Sequence, residues 1–238
     1  METFRLDKLV SDLYKITRKQ AKSDIAAGNI TVNGSVTKKS SEHFSVADTV
    51  TRNGVVGIYQ KFVYIMMNKP KGVISATSDK SAKTAVDLLT ENMRQRDLFV
   101  AGRLDKYTTG FLLLTNDGEF AHNILSPKKH IAKTYVATLR EPVKQSDITA
   151  FAAGIKLSDF ICKPARLEIV EKSVAKITIA EGKFHQIKRM FEAVGNEVVE
   201  LHRSKMGGLE LDPSLKSGEA RYITAEELEI LKDGNFDE

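Results

Sequence analysis

Four consecutive apolar residues, Phe111-Leu112-Leu113-Leu114, sit between a polar, glycine-bounded loop and an Asn116-Asp117-Gly118 turn. With no polar position to turn toward water, the run suits a buried strand, and a buried strand needs a sheet around it. Phe62 to Met67 predicts another strand, stopped by Asn68-Lys69-Pro70-Lys71-Gly72, and Arg166 to Val170 with Lys176 to Ala180 predicts a hairpin. His185 to Val194 places Ile187, Met190, Phe191 and Val194 on one side of a helix, with Gly195 at its end. Strands and helices alternate without a regular βαβ rhythm, so the expected fold class is α+β.

The first sixty residues read as a separate module. Leu6, Leu9, Val10 and Leu13 fall at helical spacing, Thr17 and Gln20 form a capping-box pattern for a second helix, and Gly28 sits where that helix should stop. Ile30-Thr31-Val32-Asn33-Gly34-Ser35-Val36 predicts two short strands around a tight Asn-Gly turn. Phe44, Val46 and Asp48-Thr49-Val50 suggest one more strand. Between residues 5 and 40 there are eight bases and three acids. Arg5 precedes the first helix, while Arg18, Lys19 and Lys22 cluster on the second, where they are placed to track a phosphate backbone. The plainer reading of such a run is a solvated helix face.

A chain of 238 residues is long for one domain, and the expected division is 1–60 and 62–238, with a linker over about 53–61. Hydrophobic residues make up 42% and charged residues 28%, as in ordinary globular proteins. No apolar run approaches eighteen residues, and charges occupy the N-terminus where a signal peptide needs an apolar stretch, so a cytoplasmic protein without a membrane span is expected. Cys162, the lone cysteine, excludes an internal disulfide and any multi-cysteine zinc site, and a bland buried thiol is expected. The net charge is +5, but six acids crowd the last fourteen residues against Lys232. Without that tail, 35 basic and 25 acidic residues leave a body of +10, the footprint of a polyanion binder.

Nucleotide-cofactor and metal motifs are missing. There is no Walker-type loop and no Gly-x-Gly-x-x-Gly opening a helix, and His43, His122, His130, His185 and His202 are scattered without a His-Glu-x-x-His pair. Any enzymatic chemistry is therefore expected to proceed without a cofactor or metal. The densest polar cluster is Gly102-Arg103-Leu104-Asp105-Lys106-Tyr107-Thr108-Thr109-Gly110, which places an acid between two bases just before the apolar run. Neighbouring positive charge favours a carboxylate. On spacing alone the plainer reading is a surface turn with incidental charge.

Gly102-Arg103-Leu104-Asp105, continued by Thr109-Gly110 through Asp117-Gly118, strongly resembles the catalytic motif of the RsuA-type branch of the rRNA pseudouridine synthases. Met67 to Gly72 resembles that family's opening strand, and Ser126-Pro127 with Lys133-Thr134-Tyr135 its second motif. Glu181 to Met190 and Glu200-Leu201-His202-Arg203 resemble its third. The likeness spans roughly residues 62–224. Ahead of it, Arg5-Leu6-Asp7-Lys8-Leu9, the basic helix and Gly28 to Gly34 resemble an αL (S4-like) RNA-binding domain. Four ordered motifs are far more specific than one.

The resemblance implies a small S4-like domain followed by a catalytic domain with a mixed, mostly antiparallel sheet flanked by helices and loops. It makes Asp105 the essential aspartate, Tyr135 the residue stacked on the target base, and Lys188 the base paired with the aspartate. Arg103 matches the arginine that holds the flipped base, and Leu201 an apolar residue near the site. Tyr107 stands where the family often has an acid, and Lys188 where many relatives carry arginine, which exchanges a bidentate fork for a point charge. The implied reaction isomerises a uridine in ribosomal RNA after base flipping, with Asp105 as nucleophile or as base. The match from Gly182 to Arg203, without a long basic C-terminal extension, leans toward 16S (small-subunit) rRNA. The alternatives are a synthase of 23S (large-subunit) rRNA and a non-catalytic RNA-binding or ribosome-assembly protein. A monomer is expected.

Overall fold

A computed structural model of the chain describes residues 3–57, 59, 61–91, 93–94, 97–126 and 131–234. The structure divides into two compact units, Met1–Lys61 and Phe62–Glu238.

The first unit runs β1 (Thr3–Arg5), α1 (Leu6–Tyr14), α2 (Arg18–Ala26), β2 (Ile30–Val32), β3 (Ser35–Val36), β4 (His43–Ser45), β5 (Val50–Arg52) and β6 (Val55–Val56). Its core is Leu6, Leu9, Val10, Ala21, Ile25, Ile30, Val32 and Val50, the apolar stripes of both helices closed by β2 and β5. Thr17 caps α2 by accepting from the Gln20 backbone N–H at 3.1 Å. The expected box is only half made, because the Gln20 side chain turns to Asp24 Oδ1 at 2.9 Å. Asn33 and Gly34 have φ of 50° and 81°, the geometry of the tight hairpin that the Asn-Gly pair predicts. The single strand expected across 44–50 is instead two, because Asp48 turns the chain by accepting from the Ser45 N–H at 2.7 Å. Asn53 and Gly54 repeat the positive-φ turn and lead into β6, which pairs with β5. The stretch expected as a linker therefore opens with a hairpin, and residues 58 and 60 within it lie outside the described residues.

The second unit contains β7 (Tyr64–Lys69), β8 (Phe99–Ala101), β9 (Thr109–Thr115), α3 (Gly118–Leu125), β10 (Lys133–Leu139), α4 (Gln145–Ala153), β11 (Arg166–Glu171) and β12 (Val174–Ile179). Then follow α5 (Gln186–Ala193), β13 (Val198–Met206), β14 (Leu209–Glu210), β15 (Ala220–Tyr222) and α6 (Ala225–Asp233). Among the described residues these strands make one nine-stranded sheet, ordered β11-β12-β10-β13-β9-β7-β15, with β8 added to β9 and β14 to β13. Only the β9–β13 pairing is parallel, so the expected mixed, mostly antiparallel sheet is borne out. The run Phe111–Leu114 lies in central β9 and is fully buried on both faces. Leu112 and Leu114 enter the core that packs α4 and α5, while Phe111 and Leu113 enter the core under α3 and α6. The opening strand begins at Tyr64 rather than Phe62, because Tyr64 is the residue that pairs with Thr115 at the end of β9.

Candidate active site

Asp105 sits in the loop between β8 and β9, and every second carbonyl of that loop is held. Arg203 Nη2 donates to Gly102 O at 2.7 Å, and Ser75 Oγ donates to Leu104 O at 2.8 Å while accepting from the Leu104 N–H at 3.0 Å. Lys69 Nζ donates to Lys106 O at 3.2 Å and Thr108 O at 2.9 Å, besides Pro70 O at 3.1 Å. The Thr108 N–H closes the turn on Asp105 O at 3.1 Å. With its backbone tied on both sides, the loop presents the Asp105 side chain in a defined direction.

Lys69 is fully buried, and burial pushes its ammonium down to about 8. The charge of Asp105 opposes that shift and that of Arg203 adds to it. At pH 7 the ammonium is still a cation, matched to three carbonyl acceptors.

Arg203 is the structural centre. Antiparallel pairing of β10 with β13 sets Tyr135 opposite Arg203, and parallel pairing of β9 with β13 sets Gly110 beside it. The buried guanidinium donates from Nε to Phe111 O at 2.7 Å and from Nη1 to Tyr135 Oη at 3.4 Å. The backbones meet so closely that a Cβ on Gly110, whose φ is 99°, would lie 2.3 Å from Arg203 O. Glycine is required there on both counts.

The side chains converge on a cleft of about 70 Å³ lined by Arg103, Asp105, Tyr135, His185, Lys188 and Leu201 among others. Lys188 Nζ lies 3.6 Å from Asp105 Oδ2, and His185 Nε2 lies 3.5 Å from Oδ1. Each carboxylate oxygen thus faces a different nitrogen. Lys188 is presented by α5, whose apolar face (Ile187, Met190, Phe191) is buried against the core. His185 caps that helix at a φ of 50°, which turns its ring toward Asp105. Tyr135 and Leu201 are buried in the cleft wall, while Arg103 is exposed at its rim without an acidic partner among the described residues. Of the second motif, Pro127 lies outside the described residues, as does His130.

Five of the residues singled out in the sequence, Asp105, Tyr135, Lys188, Arg103 and Leu201, therefore share one cleft. Lys69, His185 and Arg203 fall inside the sequence motifs, yet the motifs give them no role. Their types alone do not show that two of them are buried braces and the third faces the aspartate. A larger cleft of about 650 Å³ includes Thr134 and His202, which are the strand neighbours of Tyr135 and Arg203 and so face the other side of the sheet. It holds none of the five.

In the first unit, Arg5, Arg18 and Lys22 meet at Asp7, with nitrogen–oxygen distances of 3.3, 2.8 and 3.7 Å. Lys19 is exposed and takes no part. The Asp7 side chain is fully buried; burial by itself would raise its pKa, but hydrogen bonds from Arg5 and Arg18 and their charges outweigh it and hold the carboxyl at about 2. A depressed carboxylate pKa stabilises the fold above its unfolded value and loses that contribution as pH falls through the folded one. The first unit should accordingly lose on the order of 1–2 kcal/mol between about pH 4 and pH 2, the lower figure allowing for three half-exposed cations. Acid titration followed by circular dichroism, against an Asp7→Asn control lacking that step, measures it. Identical profiles would refute the linkage.

A family model described as RNA pseudouridylate synthase matches residues 63–193, and one described as S4 domain matches residues 4–50. The chain belongs to the RNA pseudouridylate synthase family, isomerases that act on RNA. It is 46% identical over 236 residues to a Bacillus subtilis protein named as the uncharacterized RNA pseudouridine synthase YtzG, covering 96% of this chain and 98% of that one. It is 39% identical over 227 residues to the ribosomal small subunit pseudouridine synthase A of Escherichia coli K12, covering 94% and 98%. A crystal structure described as a pseudouridylate synthase superposes with a TM-score of 0.67 at 39% identity, covering 96% of this chain and 99% of that one. The resemblance drawn from the sequence motifs is borne out. Among the described residues, no helix is long and apolar enough to cross a membrane.

Proposed function

We propose that this chain converts one uridine of 16S rRNA to pseudouridine, using Asp105 and no cofactor. The observation that carries the reading is the Asp105 carboxylate held between Lys188 and His185 over a wall containing Tyr135. The similarity to small-subunit synthases along 94% of the chain supports the choice of rRNA. The N1–C1′ bond breaks, the uracil turns, the C5–C1′ bond forms, and a proton passes from C5 to N1, so the product is an isomer and nothing is consumed. A stacked base cannot turn, so the nucleotide is extruded into the cleft. Arg103 at the rim holds the opened backbone, the face of Tyr135 receives the uracil, and Leu201 closes the apolar wall. Asp105 serves either as nucleophile at C1′ or as the base that removes a ribose proton. Lys188 steadies its charge as water leaves. The cleft is complete within one chain, which supports action as a monomer, and an rRNA substrate supports a cytoplasmic setting.

Incubating the protein separately with unmodified 16S and 23S rRNA, followed by chemical mapping of pseudouridine, tests the substrate. One new site in 16S rRNA is expected; sites in 23S rRNA alone would reject it. The first unit is proposed to grip the RNA backbone through Arg5, Arg18, Lys19 and Lys22. Lys19→Gln with Lys22→Gln should therefore reduce the log–log salt slope of RNA binding by about 0.9 for every duplex phosphate that is no longer neutralised. A slope that stays put would remove these lysines from the interface.

A further inference from the structure

Large aromatic side chains are ordinarily buried, yet two stand in the open beside this cleft. Phe184 is 76% exposed, the most exposed large apolar side chain among the described residues, and Tyr107 is 59% exposed. Each sits on a segment that supplies the cleft: Tyr107 lies between Asp105 and Thr108, and Phe184 between Lys183 and His185, all four of which line it.

The geometry of Phe184 is that of a platform. Its ring stacks on the His185 imidazole with centroids 3.8 Å apart and planes 18° from parallel. One face is covered, therefore, and the other is free. The stack cannot drift easily, because His185 is set at a φ of 50° as the cap of α5 and reaches Asp105 at 3.5 Å. Phe184, His185 and Asp105 thus form one continuous row leading into the cleft. Each aromatic has a lysine as its chain neighbour. Lys106 Nζ lies 5.8 Å from the Tyr107 ring, and Lys183, next to Phe184, has its Nζ held 3.7 Å over the Phe160 ring. An exposed aromatic ring on a segment that also carries a lysine complements a nucleotide, which offers a flat base and a phosphate.

We propose that Phe184 and Tyr107 are stacking platforms for the unpaired nucleobases that flank the target uridine. The proposal rests on the RNA-modifying reading of the cleft and adds to it the residues that grip neighbouring nucleotides. Extruding one nucleotide strips its neighbours of a stacking partner, which is part of the cost of base flipping. Aromatic faces at the rim return that stacking, and they do so for any base, so they contribute affinity without a sequence code. The alternative, that Phe184 only orders His185, requires just its covered face.

The test uses the full chain carrying Asp105→Asn, so that no turnover occurs, with a 15-nucleotide oligouridylate and its abasic counterpart, which keeps the phosphates and lacks the bases. Phe184→Ala and Tyr107→Ala should each weaken oligouridylate binding by about fivefold to 150-fold, the range of one base–aromatic stack removed. Abasic binding should stay within about twofold, since it depends on the phosphates. The chain contains no tryptophan. Phe184→Trp therefore introduces a single reporter, whose emission should be quenched by oligouridylate and left unchanged by the abasic oligomer. Equal losses on both oligomers, an unquenched reporter, or no oligouridylate binding would each overturn the proposal. Because this is a binding measurement, it fails independently of the rRNA modification assay, which alone decides the isomerase reading.

Discussion

Replacing Asp105 with asparagine should abolish pseudouridine formation in RNA while leaving RNA affinity unchanged or slightly raised. The substitution is nearly isosteric and the side chain is part-exposed in an open cleft, so the packing around it is undisturbed. What disappears is one negative charge and its lone-pair chemistry. Loss of a general base costs about 10²–10⁴-fold in rate, and loss of a nucleophile up to about 10⁶-fold, so either proposed role leaves little product. Affinity follows a different rule. Asp105 is an acid among Lys188, His185 and the buried cations Lys69 and Arg203, and neutralising it makes the cleft more positive toward phosphate. Single-turnover pseudouridine assays beside filter-binding titrations separate the two effects. A variant that still accumulates pseudouridine at a rate within about tenfold of the parent would end the role assigned to this carboxylate, and one that loses binding in proportion to rate would make it a structural residue.

Local signals in the sequence report the fold where local physics decides it. The unbroken apolar run at Phe111–Leu114 has no polar side to expose, and it lies in the middle of the sheet. Asn33-Gly34 demands positive φ at two positions and forms the hairpin it announces. Asn53-Gly54 carries the same signal, but only Val55 and Val56 follow as strand, too few residues to show a period, so the stretch reads as linker. At the site, Asp105, Tyr135 and Lys188 are legible only through ordered motifs, because no spacing rule brings residues so far apart in the chain into one cleft. The depth of the charges is what a sequence hides. Arg5, Arg18 and Lys22 read as a phosphate-facing row, yet they also converge on buried Asp7, a meeting made by the packing of α1 against α2. Lys69 reads as a turn residue after a strand and is a fully buried brace. A lysine or arginine in a sequence carries no mark of burial. That is decided by which strands pair, and the β9–β13 pairing joins residues more than ninety positions apart.

Arg203→Met should be the most destabilising single substitution in the second unit that leaves the hydrophobic volume nearly intact. The methionine can fill the slot, but three acceptors lose their donor: Phe111 O, Gly102 O and Tyr135 Oη. A buried acceptor left unsatisfied costs about 1–3 kcal/mol, and removing the buried charge gives some of that back by lifting its desolvation penalty. A net loss of about 3–5 kcal/mol is expected, which for a unit of this size lowers Tm by roughly 6–20 °C. The consequence for chemistry is separate from stability. Gly102 O is the first tether of the Asp105 loop, and Tyr135 Oη is the point at which Arg203 holds the ring proposed to receive the uracil, so one substitution loosens both the carboxylate and the tyrosine. Arg203→Lys discriminates between charge and shape: a single ammonium retains the cation but cannot satisfy Phe111 O, Gly102 O and Tyr135 Oη along three divergent directions. It should recover less than half of the lost stability and little of the rate when both are measured at a temperature where each variant is folded. Full recovery by lysine would mean that positive charge alone is what this position supplies, and a melting temperature within about 2 °C of the parent for methionine would mean that the loop and the tyrosine are held by other interactions.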